Sequence, residues 1–91
     1  MSIEQAPASE RFPVLKRTRD ELKVQVVLAK AEIKEEWQKA EVKWSRLEGE
    51  VERLRDVAGD AAKEVGTGIE HLAADVGESY NRIREAMRRP V

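Results

Sequence analysis

Apolar residues recur along this chain at the spacing of a single helix face. Leu22, Val26, Ala29, Ile33, Trp37, Ala40 and Trp44 step by 4, 3, 4, 4, 3 and 4, and Val65, Ile69, Leu72, Val76, Tyr80, Ile83 and Met87 repeat the same steps. Each set is a pair of 11-residue units. Between them Trp44, Leu47, Val51, Leu54, Ala58, Ala61 and Val65 alternate steps of 3 and 4, which makes three heptads. An 11-residue repeat averages about 3.67 residues per turn and a heptad about 3.5, so the ends should run straight or slightly right-handed and the middle left-handed. A stripe of this kind is a core face that must be buried on another helix. The fold class is therefore all-α: long amphipathic helices forming an antiparallel helical hairpin or coiled coil.

Composition limits how that burial can be achieved. The chain has 91 residues, enough for one domain that hides about 60 to 65% of its unfolded surface. Charged residues make up 38% and aromatics 4%, a balance typical of long helices, so stability has to come from helix packing. Two prolines, Pro7 and Pro13, lie near the start among small and polar residues. The ring of Pro13 biases Phe12 away from helix, so residues 1–13 are expected to form a flexible, disordered N-terminal arm and residues 14–91 a single helical domain. Thr18 with Glu21 fits a capping box for the first helix, although a start at Val14 also fits.

Where the chain turns is the next question. Gly59-Asp60 can end one helix and open another, and Gly66-Thr67-Gly68, with Glu70 completing a second capping box, offers an alternative turn at 66–68. Asp60 and Glu64 would open the returning helix and Arg82, Arg84, Arg88 and Arg89 would close it, both favourable to its dipole, so a turn near Gly59 is preferred over a continuous rod. Antiparallel partners then have numbers summing to about 118, which places Trp44 opposite Ala73 and Ala74 and Trp37 near Gly77 and Asn81. Residues 14–28, Val26, Val27 and Leu28 among them, are left without an intramolecular partner. A second copy or a larger protein would cover them.

The stretch from Asp20 to Trp37 (Asp-Glu-Leu-Lys-Val-Gln-Val-Val-Leu-Ala-Lys-Ala-Glu-Ile-Lys-Glu-Glu-Trp), with Val57 to Val65 and Ser79 to Arg84, resembles small bacterial coiled-coil proteins, some of them apolipoprotein-like or late-embryogenesis-like. That resemblance implies a helical hairpin and brings no active site with it.

No grouping of residues points to catalysis. His71 has Glu70 and Asp75 at helical spacing, but one imidazole and two surface carboxylates fall short of a metal ligand set. Glu35 and Glu36, or Glu48, Glu50 and Glu52, lack an accompanying nucleophile or oxyanion donor and are expected to be solvated faces. Gly66-Thr67-Gly68 lacks the lysine and strand context of a phosphate loop. With no cysteine, disulfide and thiolate chemistry are excluded. No cofactor is expected.

Charge and hydropathy narrow the partners. A net charge of −1 gives no global attraction to nucleic acid, which is not an expected partner. The N-terminal residues lack a basic region followed by an apolar run, and no segment approaches a membrane span, so the expected location is the cytoplasm. Lys16, Arg17 and Arg19 near the start and Arg82, Arg84, Arg88 and Arg89 near the end would converge in a hairpin as a basic docking end.

The expected function is that of a noncatalytic coiled-coil interaction protein. It would act as a homo-oligomer, dimer or higher, or as a small accessory subunit docked on a larger protein. The contacts would be made by the apolar stripe of Leu22, Val26, Ile33, Trp37, Trp44, Leu47, Val51, Leu54, Ile69, Leu72, Val76, Tyr80 and Ile83. The competing expectation is an amphipathic-helix protein of lipid surfaces or stress protection.

Overall fold

A computed structural model describes residues 8–88, with side chains from residue 11 onward. Three helices follow one another: α1 (Ala8–Val26), α2 (Ala31–Leu54) and α3 (Asp60–Arg88), with no strand among the described residues. Residues 27–30 and 55–59 reverse the chain twice. α2 and α3 form the expected antiparallel hairpin: Lys43 pairs with Asp75 and Trp37 stacks on Tyr80, within a residue of the anticipated register.

The turn near Gly59 is where the sequence placed it. Gly59 has φ +65°, a left-handed conformation that costs glycine little. Its carbonyl accepts the first bonds of α3, from the N–H groups of Ala62 (3.1 Å) and Lys63 (3.4 Å), and Asp60 supplies negative charge in the first turn. Gly59 itself thus occupies the capping position that the sequence suggested for Asp60. The alternative turn at 66–68 is not used, because those residues continue through α3.

Both predicted capping boxes dissolve into helix interior. The Thr67 hydroxyl donates to the Lys63 carbonyl at 3.0 Å, and the Thr18 hydroxyl donates to the Val14 carbonyl at 3.1 Å. A mid-helix threonine can satisfy its hydroxyl on the carbonyl four residues back, which removes the need for an exposed cap.

The N-terminal boundary also differs from expectation. Residues 1–7 of the proposed arm lie outside the described residues, but residues 8–13 belong to α1, which runs through Pro13. The proline deletes one helical hydrogen bond. It lies on the exposed side, where the carbonyl that loses its partner can be hydrated, while Phe12 next to it stacks on Trp44 with ring centroids 4.9 Å apart. That tertiary contact outweighs the local bias against helix.

The largest departure is at residues 27–30, where the sequence contains neither glycine nor proline. Lys30 is extended (φ −65°, ψ 158°) and caps α2 with no side-chain hydrogen bond, while Leu28 and Ala29 close a tight turn onto the carbonyls of Gln25 and Val26. Part of the stretch 14–28 is therefore covered from within the chain, although Val24, Val27 and Leu28 stay exposed. α1 folds back, mainly onto α3, and buries Leu15, Leu22 and Val26 within the chain's own core. Each such side chain contributes about 1.5–3 kcal/mol when buried, whereas each interrupted backbone bond is worth only about 0.5–1.5 kcal/mol net. Burial wins over helix continuity. The need for a second copy over Leu22 and Val26 disappears with it.

The stripe forms the centre of the resulting three-helix bundle. Leu22, Val26, Trp44, Leu47, Ile69, Val76, Tyr80 and Ile83 are buried, and Ile33, Trp37, Val51, Leu54 and Leu72 pack partly buried against them. The small residue Gly77, expected near Trp37, instead faces Leu15 of α1, whose Cδ2 would lie 3.6 Å from a Cβ built there. Trp37 is opposed by Tyr80 instead.

Candidate functional site

Polar side chains at the junction of the three helices hold α1 in place. Arg19 donates from Nε and Nη2 to the two carboxylate oxygens of Glu41 at 2.7 and 2.8 Å, a bidentate pair whose geometry favours guanidinium. The same guanidinium lies 5.6 Å from the ring centroid of Trp44, which is itself stacked on Phe12. Hydrogen bonding to Glu41, ahead of its opposing desolvation, raises the Arg19 pKa above its ordinary value. On the α2–α3 side Lys43 Nζ donates to Asp75 and to the Ser79 hydroxyl, both at 3.1 Å.

Tyr80 stands apart in this junction. Its hydroxyl is buried without a hydrogen-bond partner. Desolvation, reinforced by the negative charge of Glu41, pushes its pKa well above the usual phenol range. A phenol so disposed keeps its proton at neutral pH and serves as core.

Three of the residues of the predicted basic docking end have partners within the bundle. Arg19 turns inward to Glu41, and Arg88 sits 3.6 Å from Glu85 on its own helix. Arg82 reaches the Ser79 hydroxyl at 3.4 Å, and Arg84 borders a groove of about 500 Å3 between α1 and α3 whose wall also includes Arg11. Lys16 and Arg17 are exposed on α1, and Arg89 lies outside the described residues. His71 is exposed, and among the described residues no group of three or more metal-ligating side chains is assembled.

The stripe residues, assigned by sequence to an external contact, are placed inside. What remains outside is a different set. Leu28 is 93% exposed, Val24 74% and Val27 66%, all at the corner where α1 turns into α2. Val24 lies in the last turn of α1 and Val27 and Leu28 in the turn that follows it, so three exposed branched side chains fall within five residues at this apolar vertex. Val14 and Val42 are exposed singly elsewhere, which is ordinary for a surface. The sequence did mark Val27 and Leu28 as uncovered, but it grouped them with Val26, which the turn carries into the core. Among the described residues no helix is long and apolar enough to cross a membrane.

No protein-family model, no curated protein and no solved structure matches this chain.

Proposed function

We propose that this chain is a noncatalytic helical interaction module whose contact surface is the α1–α2 corner. The observation that carries this reading is the exposure of Val24, Val27 and Leu28 together, in a chain that folds its periodic apolar residues inward. A grouped apolar vertex on a small domain calls for an occupant in a way that scattered valines do not. The stripe supports the same function less directly. By forming the core it makes the bundle on which the corner is presented, and its buried members are taken up by packing.

The size of the corner sets the strength of the contact. Covering the exposed parts of three branched side chains is worth roughly 3–6 kcal/mol, against association costs of about 4–15 kcal/mol. The corner alone gives reversible attachment, strengthened by whatever charge surrounds it. The polar junction favours a structural role over a chemical one, because Arg19, Glu41, Lys43 and Asp75 are engaged with one another.

A photo-crosslinking residue placed at Leu28 tests the reading in living cells, with the exposed Glu52 as the control position near the other end of α2. Adducts are expected at position 28 and not at 52. Equal labelling, or none at either position, would overturn it.

A further inference from the structure

We infer that the α1–α2 corner docks reversibly on a phospholipid surface carrying anionic headgroups, with Val24, Val27 and Leu28 entering the headgroup layer and Lys23, Lys30 and Lys34 lying against the lipid phosphates. This rests on the corner being the contact surface and goes further by naming what it touches. Three observations point to that occupant.

The first is charge. Between residues 23 and 34 the only ionisable side chains are Lys23, Lys30, Lys34 and one acid, Glu32. The three lysines are exposed, and none forms an ion pair among the described residues. Within residues 23–34 the balance is therefore positive although the whole chain carries −1, and the acids Asp20, Glu21, Glu35 and Glu36 begin only beyond that stretch. Lysine stems can lie along apolar surface while their ammonium groups reach phosphate, so lysines and vertex can engage one interface together.

The second is shape. Leu28 is almost fully exposed at the outermost point of a helix-to-helix turn, so the apolar surface is convex and narrow. The Cα envelope across the long axis is no wider than 28 by 16 Å. A stable protein complex covers roughly 800 Å2 on each partner. To reach that area, a protein partner would have to wrap down the charged flanks of the bundle. A fluid headgroup layer needs no such matching surface and takes up protruding side chains individually.

The third is self-exclusion. A second copy meeting this corner head-on would set each group of lysines against its twin, and like charges in contact oppose association. Anionic phosphate relieves that repulsion.

Flotation of the full chain with vesicles provides the test. Binding is expected to vesicles of phosphatidylcholine mixed with phosphatidylglycerol, to fall as salt rises, and to be absent on phosphatidylcholine alone. Leu28→Ser should lower partitioning by about tenfold, and each of Lys23→Gln, Lys30→Gln and Lys34→Gln by about fivefold. All four positions are exposed, so circular dichroism should show unchanged helicity. Because the chain has no cysteine, Leu28→Cys carries a single polarity-sensitive dye whose emission should shift to the blue on anionic vesicles, while the dye at Glu52→Cys should not respond.

Absence of flotation on the anionic vesicles overturns the lipid assignment, as does equal binding to both vesicle types or binding that Leu28→Ser leaves unchanged. The crosslinker at position 28 separates that failure from failure of the corner itself. A specific protein adduct, or an adduct with a second copy, without vesicle binding removes lipid and leaves the corner as the contact surface. No specific adduct and no vesicle binding removes both.

Discussion

Replacing Trp44 with alanine removes one of the side chains through which α1 is joined to the hairpin. Trp44 is only 2% exposed, stacks face to face on Phe12 at 4.9 Å, and lies 5.6 Å from the Arg19 guanidinium. Truncating a buried tryptophan costs about 3–5 kcal/mol. The aromatic pair accounts for about 0.5–1.5 kcal/mol beyond area burial, and the cation–π contact for about 0.5–1 kcal/mol at a part-exposed site. Loss of all three places Trp44→Ala at the upper end, near 5 kcal/mol. Whole domains are stable by about 5–15 kcal/mol, so the variant should retain little of its fold. Trp37 is half-buried and has one aromatic neighbour, Tyr80, at 6.0 Å. Its alanine variant should cost about half as much. Urea unfolding followed by far-ultraviolet circular dichroism measures both, with Trp44→Phe as the conservative control that keeps an aromatic face against Phe12. If Trp44→Ala costs no more than Trp37→Ala, α1 is not docked through Trp44.

Other substitutions probe single features. Tyr80→Phe removes a buried hydroxyl that has no partner, so it should stabilise the fold by about 1 kcal/mol in thermal or urea unfolding; destabilisation would show that the hydroxyl is satisfied in solution. Tyr80 has a raised pKa in the fold, so the wild-type chain should keep its stability below the ordinary phenol value near 10.0 and lose it as pH rises above that, a loss that Tyr80→Phe should lessen. Gly66→Ala and Gly68→Ala place a methyl where nothing lies within 4 Å and should each raise stability by about 0.5–1 kcal/mol, whereas a loss would mean α3 is interrupted there. Inserting Gly-Ser-Gly after Gly59 lengthens an existing turn and should cost only about a few tenths of a kcal/mol; loss of helicity would indicate a continuous rod.

Periodic burial was legible because it repeats: thirteen residues of the stripe agree on one face, and the bundle buries or half-buries every one of them. Gly59 was legible because a left-handed residue next to an acidic helix start has few other uses. Single local cues served less well. Thr18 and Thr67 match a capping pattern that is satisfied equally by bonding backward inside a helix. Pro13 argues for a helix stop, but Phe12 is held by Trp44, more than thirty positions later in the chain, and no local rule sees that contact. Arg19 looked like part of a basic end because its neighbours in sequence are basic, whereas its true partner, Glu41, comes from another helix. The reversal at residues 27–30 had no local signature at all. Its cause is the burial of Leu15, Leu22 and Val26 against helices that the linear order does not bring near.

A straightened hinge at that reversal would give the chain a second topology. Val27, Leu28, Ala29 and Lys30 can all continue a helix, and Lys30 holds its extended conformation without a side-chain cap. If the hinge straightens, α1 and α2 merge into one rod, and the docking site that α1 vacates on α3 can accept the α1 of another molecule. Two chains would then exchange their first helices while every core contact is kept, the route by which hinge loops give rise to domain-swapped dimers. The exchange would keep Val24, Val27 and Leu28 together on one face of a straight helix, but it would flatten the convex corner that they now occupy. Monomer and swapped dimer would share one core and differ in whether the corner exists.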